Sequence, residues 1–319
     1  ILSYYKKVYK RLGMKNVQSD FYYDGIYGDL VDDSSTIDRT YTRWLKEPNF
    51  YNLFRKDILK NKKIKILTNI SVNNIKFIEK KAVSIDCISK NFGDVSFAAD
   101  NFIFASGTMG INQFFLSTQE TGVVPWGNNS NIGKYFQDHL GGAIGTLNIK
   151  DTELFRKYFE NSWIKGIKIQ PKLKLSSESV LSQKNGVVIF FTFRSKYEDA
   201  IARLKLDIKN IFKAFDKINI VRSLKDLYFI KKELASLIYK FFLKKRVHAV
   251  FDIKDSIQVN IQSEQIPVRE SQIKLNRNHN LGSGLSKIDV FWSCDGDEAI
   301  AIKKISKEFN LFLKKKRHW

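Results

Sequence analysis

"NFIFASGTMGINQFFLS", residues 101–117, is the stretch that decides the predicted fold. It begins as a short, mostly apolar segment, which predicts a strand, and this segment ends in the small residues Ala105, Ser106 and Gly107. Apolar residues at helical spacing follow, so a helix is predicted from about 111 to 118. A strand, a turn of small residues and a helix, in this order, are typical of the α/β layers that bind nucleotides.

The rest of the chain predicts a mixture of α/β and α+β structure. Helices are predicted over 1–13 and 48–59, and a strand, a turn and a second strand over 63–78. Residues 18–40 are rich in Asp, Ser, Gly and Tyr, which indicates an irregular connection. Several long strand-like stretches between 163 and 292 predict a mainly antiparallel sheet that is solvated on one side.

The composition predicts a folded protein without a membrane-spanning helix. Hydrophobic residues make up 43% of the 319-residue chain and charged residues 27%, which supports a folded core and argues against wholesale disorder. No run of about 20 apolar residues occurs, so a membrane-spanning helix is not expected. The first residues lack both the layout of a signal peptide and an initiator Met. We therefore expect the chain to be an internal piece of a longer protein.

The formal net charge of +21 has two explanations. One is a nucleic-acid or anionic-membrane partner, and the other is the composition of an AT-rich genome, in which Lys, Asn, Ile and Phe are abundant. We favour the second explanation, because no zinc-finger, helix-turn-helix or RNP-type pattern supports nucleic acid. Cys87 and Cys294 are far apart and lack metal-ligand spacing, which predicts a reducing, cytoplasmic compartment and no metal site. A disulfide between them is the alternative.

Five motifs in chain order resemble the glucose–methanol–choline (GMC) family of flavin-dependent oxidoreductases. The first is residues 101–117, and the second is "NIGKYFQDH", residues 131–139, which resembles the family's Gly-Arg-x-hydrophobic-x-(Asp or Glu)-His stretch. "YTRWLKEPNFYNLFRKDILKNKKIKILTNISVNNI", residues 41–75, is similar to the preceding helix and strand. "IQSEQIPVRESQIKLNRNHNLGSGLSKIDVFW", residues 261–292, and "YYKKVYKRLG", residues 4–13, match later and earlier segments. Each motif alone is weak, but their order is specific.

The resemblance implies that FAD is the cofactor and assigns four cofactor-binding residues. Val72 resembles the strand residue whose backbone N–H and C=O meet the adenine. Ala105, Ser106 and Gly107 form the small turn that lets the FAD ribose or adenine approach, and Ser106 departs from the second Ala that the family often has. The alternatives are an ordinary strand residue for Val72 and tight strand–helix packing for the turn.

Two features of the family are missing from the sequence. The Gly-x-Gly-x-x-Gly fingerprint, whose glycines let the backbone approach the FAD pyrophosphate at a helix N-terminus, does not occur. The loop near the family's C-terminus that carries its catalytic histidine, within a His-x-x-Gly-Thr-like stretch, is also absent. We therefore expect no catalytic residue in this chain. His139 is the weak candidate, and its alternative role is packing and loop placement through hydrogen bonds to backbone carbonyls.

The resemblance also implies a domain plan and a function. The plan has an N-terminal helix and connection (1–47), part of a Rossmann-like FAD-binding domain (48–140), a mainly antiparallel substrate-binding domain (141–295) with a basic helical insertion (about 198–246), and a return to the FAD domain (296–319). The implied function is an FAD-dependent oxidoreductase that transfers hydride from the CH–OH group of an alcohol, polyol or sugar to flavin N5.

Two questions of partner and function stay open. The alternative function is a non-catalytic relative that has lost the flavin site and binds a carbohydrate or an anionic surface. The basic stretch 203–246 has apolar residues between its lysines. It predicts either a solvated lid over the substrate domain, which we favour, or a helix that contacts a membrane surface peripherally. A specific nucleic-acid partner is not expected.

Overall fold

The computed structural model describes residues 2–28, 36–120, 124–176, 186–193, 197–213, 220–242, 257–280 and 285–315. The helices in these ranges are α1 (Leu2–Arg11), α2 (Asp20–Tyr27), α3 (Phe50–Lys60), α4 (Gly107–Glu120), α5 (Thr152–Phe159), α6 (Glu198–Lys213), α7 (Ile220–Phe242) and α8 (Asp297–Lys315). The strands are β1 (Ile37–Trp44), β2 (Ile70–Ile78), β3 (Lys81–Ser89), β4 (Gly93–Ala98), β5 (Leu140–Leu147), β6 (Ser162–Ile164), β7 (Ile167–Leu175), β8 (Val187–Phe193), β9 (Ile257–Ser263), β10 (Gln272–Asn280) and β11 (Ser286–Phe291).

Six of the strands form one antiparallel sheet in the order β1-β7-β8-β9-β5, with β6 paired to β7. Burial alternates along β8 and β9, as expected when one face of a sheet is packed and the other is open. The packed face meets α5 and α8 in one core, in which Phe155, Phe159, Ile189 and Ile305 are almost fully buried. The sequence prediction of a mainly antiparallel sheet is therefore confirmed.

Residues 18–40 were expected to be irregular, and this prediction is wrong for 20–27 and 37–40. These residues form α2 and the start of β1, the first strand of the large sheet. Residues 29–35 lie outside the described residues. Ser19 caps α2, because its hydroxyl accepts the backbone N–H of Tyr22 at 3.4 Å. Tyr23 and Tyr27 then share one helical face and are buried against Tyr41 of β1. The helix thus forms because its aromatic face is covered, although Asp and Tyr are only moderate helix formers and Gly is a poor one.

The predicted strand at the start of 101–117 is also not observed. Residues 101–105 belong to no strand, and the side chain of Ile103 is 91% exposed. A strand needs a neighbour to pair with its N–H and C=O groups, and no described strand pairs with this segment. For the same reason the predicted strand within 63–69 is absent, and regular pairing starts at Ile70.

The described strands outside the large sheet form the antiparallel sheets β2-β3-β4 and β10-β11. All pairings between described strands are antiparallel, so the mixed α+β character is confirmed and the Rossmann-like layer is not. None of the described helices combines the length and apolar character that crossing a membrane requires.

The chain divides into two compact units. The first unit comprises 1–56, 140–264 and 299–319, and the second comprises 57–139 and 265–298. β10 and β11 group with the second unit, and most of α8 groups with the large sheet. The functional names given to these segments stay predictions.

Candidate functional site

A cavity of about 460 Å³ in the second unit is the candidate site. Val72, Ala105 and Ser106, which the sequence analysis assigned to cofactor binding, all line it. Its volume is in the range of pockets that hold small ligands or parts of cofactors. The fold therefore brings together residues that are more than 30 positions apart in the chain.

The small turn leads directly into the N-terminus of α4. Gly107 is the first residue of that helix and has a φ of +75°, a conformation that side-chain-bearing residues rarely adopt. One turn later, a Cβ on Gly110 would lie 3.0 Å from the Cβ of Ser106. Small residues at these positions keep the backbone open to the cavity. Gly107 itself adjoins the lining rather than forming part of it.

Val72 lies on a strand that has only one partner among the described strands. β2 pairs with β3 alone, so its other edge presents N–H and C=O groups without a strand partner. The pairing register shifts between Val72 and Asn74, which indicates a bulge at Asn73. The side-chain Oδ1 of Asn73 is buried and has no hydrogen-bond partner within the described part of the chain. An edge strand of this kind can meet the polar edge of a planar heterocycle.

The lining of the cavity is uncharged. Apart from backbone groups, its polar atoms come from Ser71, Ser106 and Gln113, and aliphatic and aromatic side chains supply the rest. The Gln113 amide nitrogen donates to the carbonyl oxygen of Ser286 at 2.7 Å. No titratable side chain lines the cavity within the described residues, so the cavity offers neither an acid–base group nor a counter-charge for phosphate. These properties fit a neutral aromatic base such as adenine.

Aromatic packing fixes the segment that carries Ala105 and Ser106. The ring of Phe104 lies 5.0 Å from that of Phe114 and 5.3 Å from that of Phe115. The Phe115 ring in turn meets Trp126 edge-on at 4.6 Å. Such contacts stabilise a segment that lacks the hydrogen bonds of a strand.

The "NIGKYFQDH" segment is held to β10 and α4 by its backbone. Gly133 accepts the N–H of Ile273 at 2.7 Å, and its own N–H donates to Asn112 Oδ1 at 3.1 Å. Its φ is +77°, and a Cβ there would lie 2.4 Å from the carbonyl oxygen of Ile273. His139 at the end of the segment is exposed, and its imidazole forms no hydrogen bond with a described residue. The expected packing role of His139 is therefore wrong.

Gln265 performs the role that the sequence analysis gave to the histidine. This buried residue accepts the backbone N–H of Asp138 at 3.1 Å and the Trp292 indole N–H at 2.7 Å through its Oε1. The side-chain amide nitrogen of Gln265 donates to the backbone carbonyl oxygen of Ser293 at 2.6 Å. Its backbone carbonyl oxygen accepts a hydrogen bond from the side-chain amide nitrogen of Gln137 at 2.5 Å. The motif "EQIP" was noted in the sequence, but nothing local to it indicates these distant partners.

The open face of the six-stranded sheet is a second feature that could bind a ligand. Lys168 and Lys172 of β7 lie on it, half-buried, and burial lowers the pKa of both amines. Their cross-strand neighbours in β1 are Trp44 and Thr40, neither of which is acidic. The two ammonium groups instead lie 4.6 Å and 4.9 Å from the ring centres of Trp44 and Phe190.

Neighbouring strands add amide and hydroxyl groups to this open face. The Asn260 amide nitrogen of β9 donates to Thr192 Oγ1 of β8 at 2.9 Å. Gln170 lies between the two lysines on β7, but its side chain is buried. Hydroxyls, amides and lysines on one face can hydrogen-bond a polyhydroxylated ligand and attract its anionic groups.

No cysteine is among the described residues that line the cavity. Cys87 and Cys294 are both free, so the alternative of a disulfide between them is wrong. Cys87 lies opposite Val72 in the β2–β3 pair, and burial raises the pKa of its thiol. Within the described ranges, no group of three His, Cys, Asp or Glu side chains could hold a metal ion.

No protein-family model matches this chain, and the search of curated proteins also found no match. The functional proposals below therefore depend on the motifs in the sequence and on the geometry of the two features.

Proposed function

We propose that the chain contributes the adenine pocket and the substrate-binding sheet of an FAD-dependent oxidoreductase that acts on CH–OH groups of an alcohol, polyol or sugar. The observation that carries this proposal is the uncharged cavity lined by Val72, Ala105 and Ser106. The motif resemblance assigned these residues to the adenine side of FAD, and the fold brings them into one cavity of suitable chemistry.

Each part of the site has a distinct task. The edge of β2 at Val72 hydrogen-bonds the base through backbone groups, and Ala105 and Ser106 allow its close approach. Bound FAD would supply the hydride acceptor. The chain has neither the glycine-rich pyrophosphate fingerprint nor the histidine motif of the GMC family, so we propose that these 319 residues alone are inactive and bind FAD weakly.

Calorimetric titration of the 319-residue chain tests this proposal. FAD and adenosine should bind weakly and compete with each other, whereas riboflavin, which lacks the adenine, should not bind. Ala105→Leu places a larger side chain in the cavity and should abolish adenosine binding. Ala98→Leu, at an exposed strand end outside the cavity lining, is the matched control and should bind normally. Riboflavin binding as tight as adenosine binding would contradict the assignment.

A second candidate function is non-catalytic binding of an acidic saccharide, and the open sheet face favours it. Lys168 and Lys172 are half-buried and have no acidic cross-strand neighbour in β1. If this function is correct, Lys172→Met should abolish binding of an acidic oligosaccharide and leave adenosine binding unchanged. Lys81→Met removes an equal charge at an exposed position of β3 and should have no effect. Equal binding of a neutral oligosaccharide would argue against it.

A further inference from the structure

The helix α7 presents an apolar stripe to solvent. Ile220, Val221, Leu224, Leu227 and Tyr228 have exposures of 67%, 65%, 61%, 42% and 71%. Their spacing of i, i+1, i+4, i+7 and i+8 places them on one face of the helix. On a helix that packs on a core this face would be buried, but here it is open.

The opposite face of α7 makes polar contacts with α6. Arg203 donates to both carboxylate oxygens of Asp226, at 2.9 Å and 2.6 Å. Arg222 donates to Asp207 Oδ1 at 2.7 Å, and the Ser223 hydroxyl donates to Asp207 Oδ2 at 2.7 Å. Both aspartates are buried. The described part of α7 therefore turns ion pairs towards α6 and apolar side chains outwards, an arrangement that suits an apolar surrounding.

Among the side chains that are described, which reach residue 208 in α6 and cover 220–231 in α7, a small apolar cluster joins the two helices. Its buried members are Tyr197, Ala200 and Ile230. The exposed stripe is thus available for a partner rather than needed to hold the helices together. Lys225 and Lys231 are exposed beside it, and residues 201–250 carry 13 basic and 4 acidic side chains. This charge repels a second copy of the chain and attracts an anionic surface.

We propose that α6 and α7 dock on the surface of an anionic lipid bilayer. The apolar stripe enters the boundary between headgroups and acyl chains, and Lys225 and Lys231 meet the lipid phosphates. The proposal does not depend on the oxidoreductase function, because no residue of the candidate cavity takes part in it. The sequence analysis gave membrane contact as the less favoured alternative for the basic stretch 203–246, and the proposal assigns this contact to the described part of that stretch.

Vesicle co-sedimentation of the 319-residue chain tests the proposal. The chain should bind vesicles that contain phosphatidylglycerol and phosphatidylcholine, and should bind vesicles of phosphatidylcholine alone weakly. Leu224→Asp removes one apolar anchor and should weaken binding by about tenfold, which corresponds to about 1.4 kcal/mol. Leu59→Asp is the matched control, because Leu59 of α3 is 63% exposed, and it should bind like the unmodified chain.

The other outcomes would overturn the proposal. Absence of binding to anionic vesicles would exclude the lipid surface. Binding that Leu224→Asp leaves unchanged would show that general charge attraction, and not the stripe, is responsible. A chain that self-associates through Leu224 without binding vesicles would identify a second copy as the occupant. Circular dichroism of both variants checks that neither exposed substitution unfolds the chain.

Discussion

Gly133 gives the sharpest test of how the segment 131–139 is held. An Ala at this position would place its Cβ 2.4 Å from the carbonyl oxygen of Ile273 and 3.2 Å from Leu116 Cδ1. The first of these contacts is with backbone, which cannot rotate away. Gly133→Ala must therefore separate the segment from β10 and break the 2.7 Å hydrogen bond from the Ile273 N–H to the Gly133 carbonyl.

The expected cost has two parts. A residue with a side chain at a φ of +77° costs about 1–2 kcal/mol relative to glycine. Loss of a backbone hydrogen bond adds about 1 kcal/mol. Gly93 separates the two parts, because its φ is +69° and no atom lies within 4 Å of a Cβ built there. Gly93→Ala should therefore lose only the conformational part of the free energy of unfolding. Gly133→Ala should lose at least about 1 kcal/mol more, because it also loses the hydrogen bond.

Urea unfolding of the two variants measures this difference, and hydrogen exchange locates it. The amide proton of Ile273 should lose protection in Gly133→Ala and keep it in Gly93→Ala. Equal unfolding midpoints for the two variants, together with a protected Ile273 amide in both, would refute the argument. The segment would then have another way to stay on β10.

Two further predictions concern charged groups in the first unit. Glu160→Gln removes the buried carboxylate that lies 3.0 Å from Arg156, and it should lower the free energy of unfolding by about 3 kcal/mol. Glu153→Gln, at the exposed end of the same cluster, should lower it by less than about 1 kcal/mol. Urea unfolding of the two variants compares these values. Hydrogen bonds from Ser223, Arg222 and Arg203 lower the pKa values of Asp207 and Asp226, so the stability they give is present above the ordinary pKa of about 4 and is lost as the pH falls below it. Far-UV circular dichroism should show this acid transition, and its persistence in a double variant, Asp207→Asn with Asp226→Asn, would contradict the assignment.

The parts of the fold that could be predicted from the sequence are those in which local pattern and burial agree. β8 and β9 alternate in the sequence and in burial, and α8 carries its apolar residues at helical spacing. α2 was missed because the composition of the region around it is typical of loops. Its structure depends on a Ser19 cap and on tyrosines that are covered by a strand from the same region.

The prediction of a strand over 101–105 was wrong for the opposite reason. Its composition is suitable, but strand formation depends on a partner, and partners are not encoded locally. Gln265 shows the same limit at the site, because its hydrogen bonds to Gln137 and Asp138 join residues more than 120 positions apart. The cofactor assignment of Val72, Ala105 and Ser106 stays a proposal, and it came from several weak motifs in a consistent order and not from any one of them.

The proposed ligands of this chain differ in charge, and this difference separates the hypotheses. The cavity at Val72 has no titratable side chain in its described lining, so binding of adenosine there should be almost independent of salt. Binding at Lys172 or beside Lys225 depends on attraction between charges at half-buried or exposed positions, which ions screen within about 10 Å at 0.1 M. At the membrane surface the apolar stripe adds a contribution that salt does not remove. Partial salt sensitivity with dependence on Leu224 therefore distinguishes membrane docking from saccharide binding, and neither behaviour can be mistaken for occupation of the cavity.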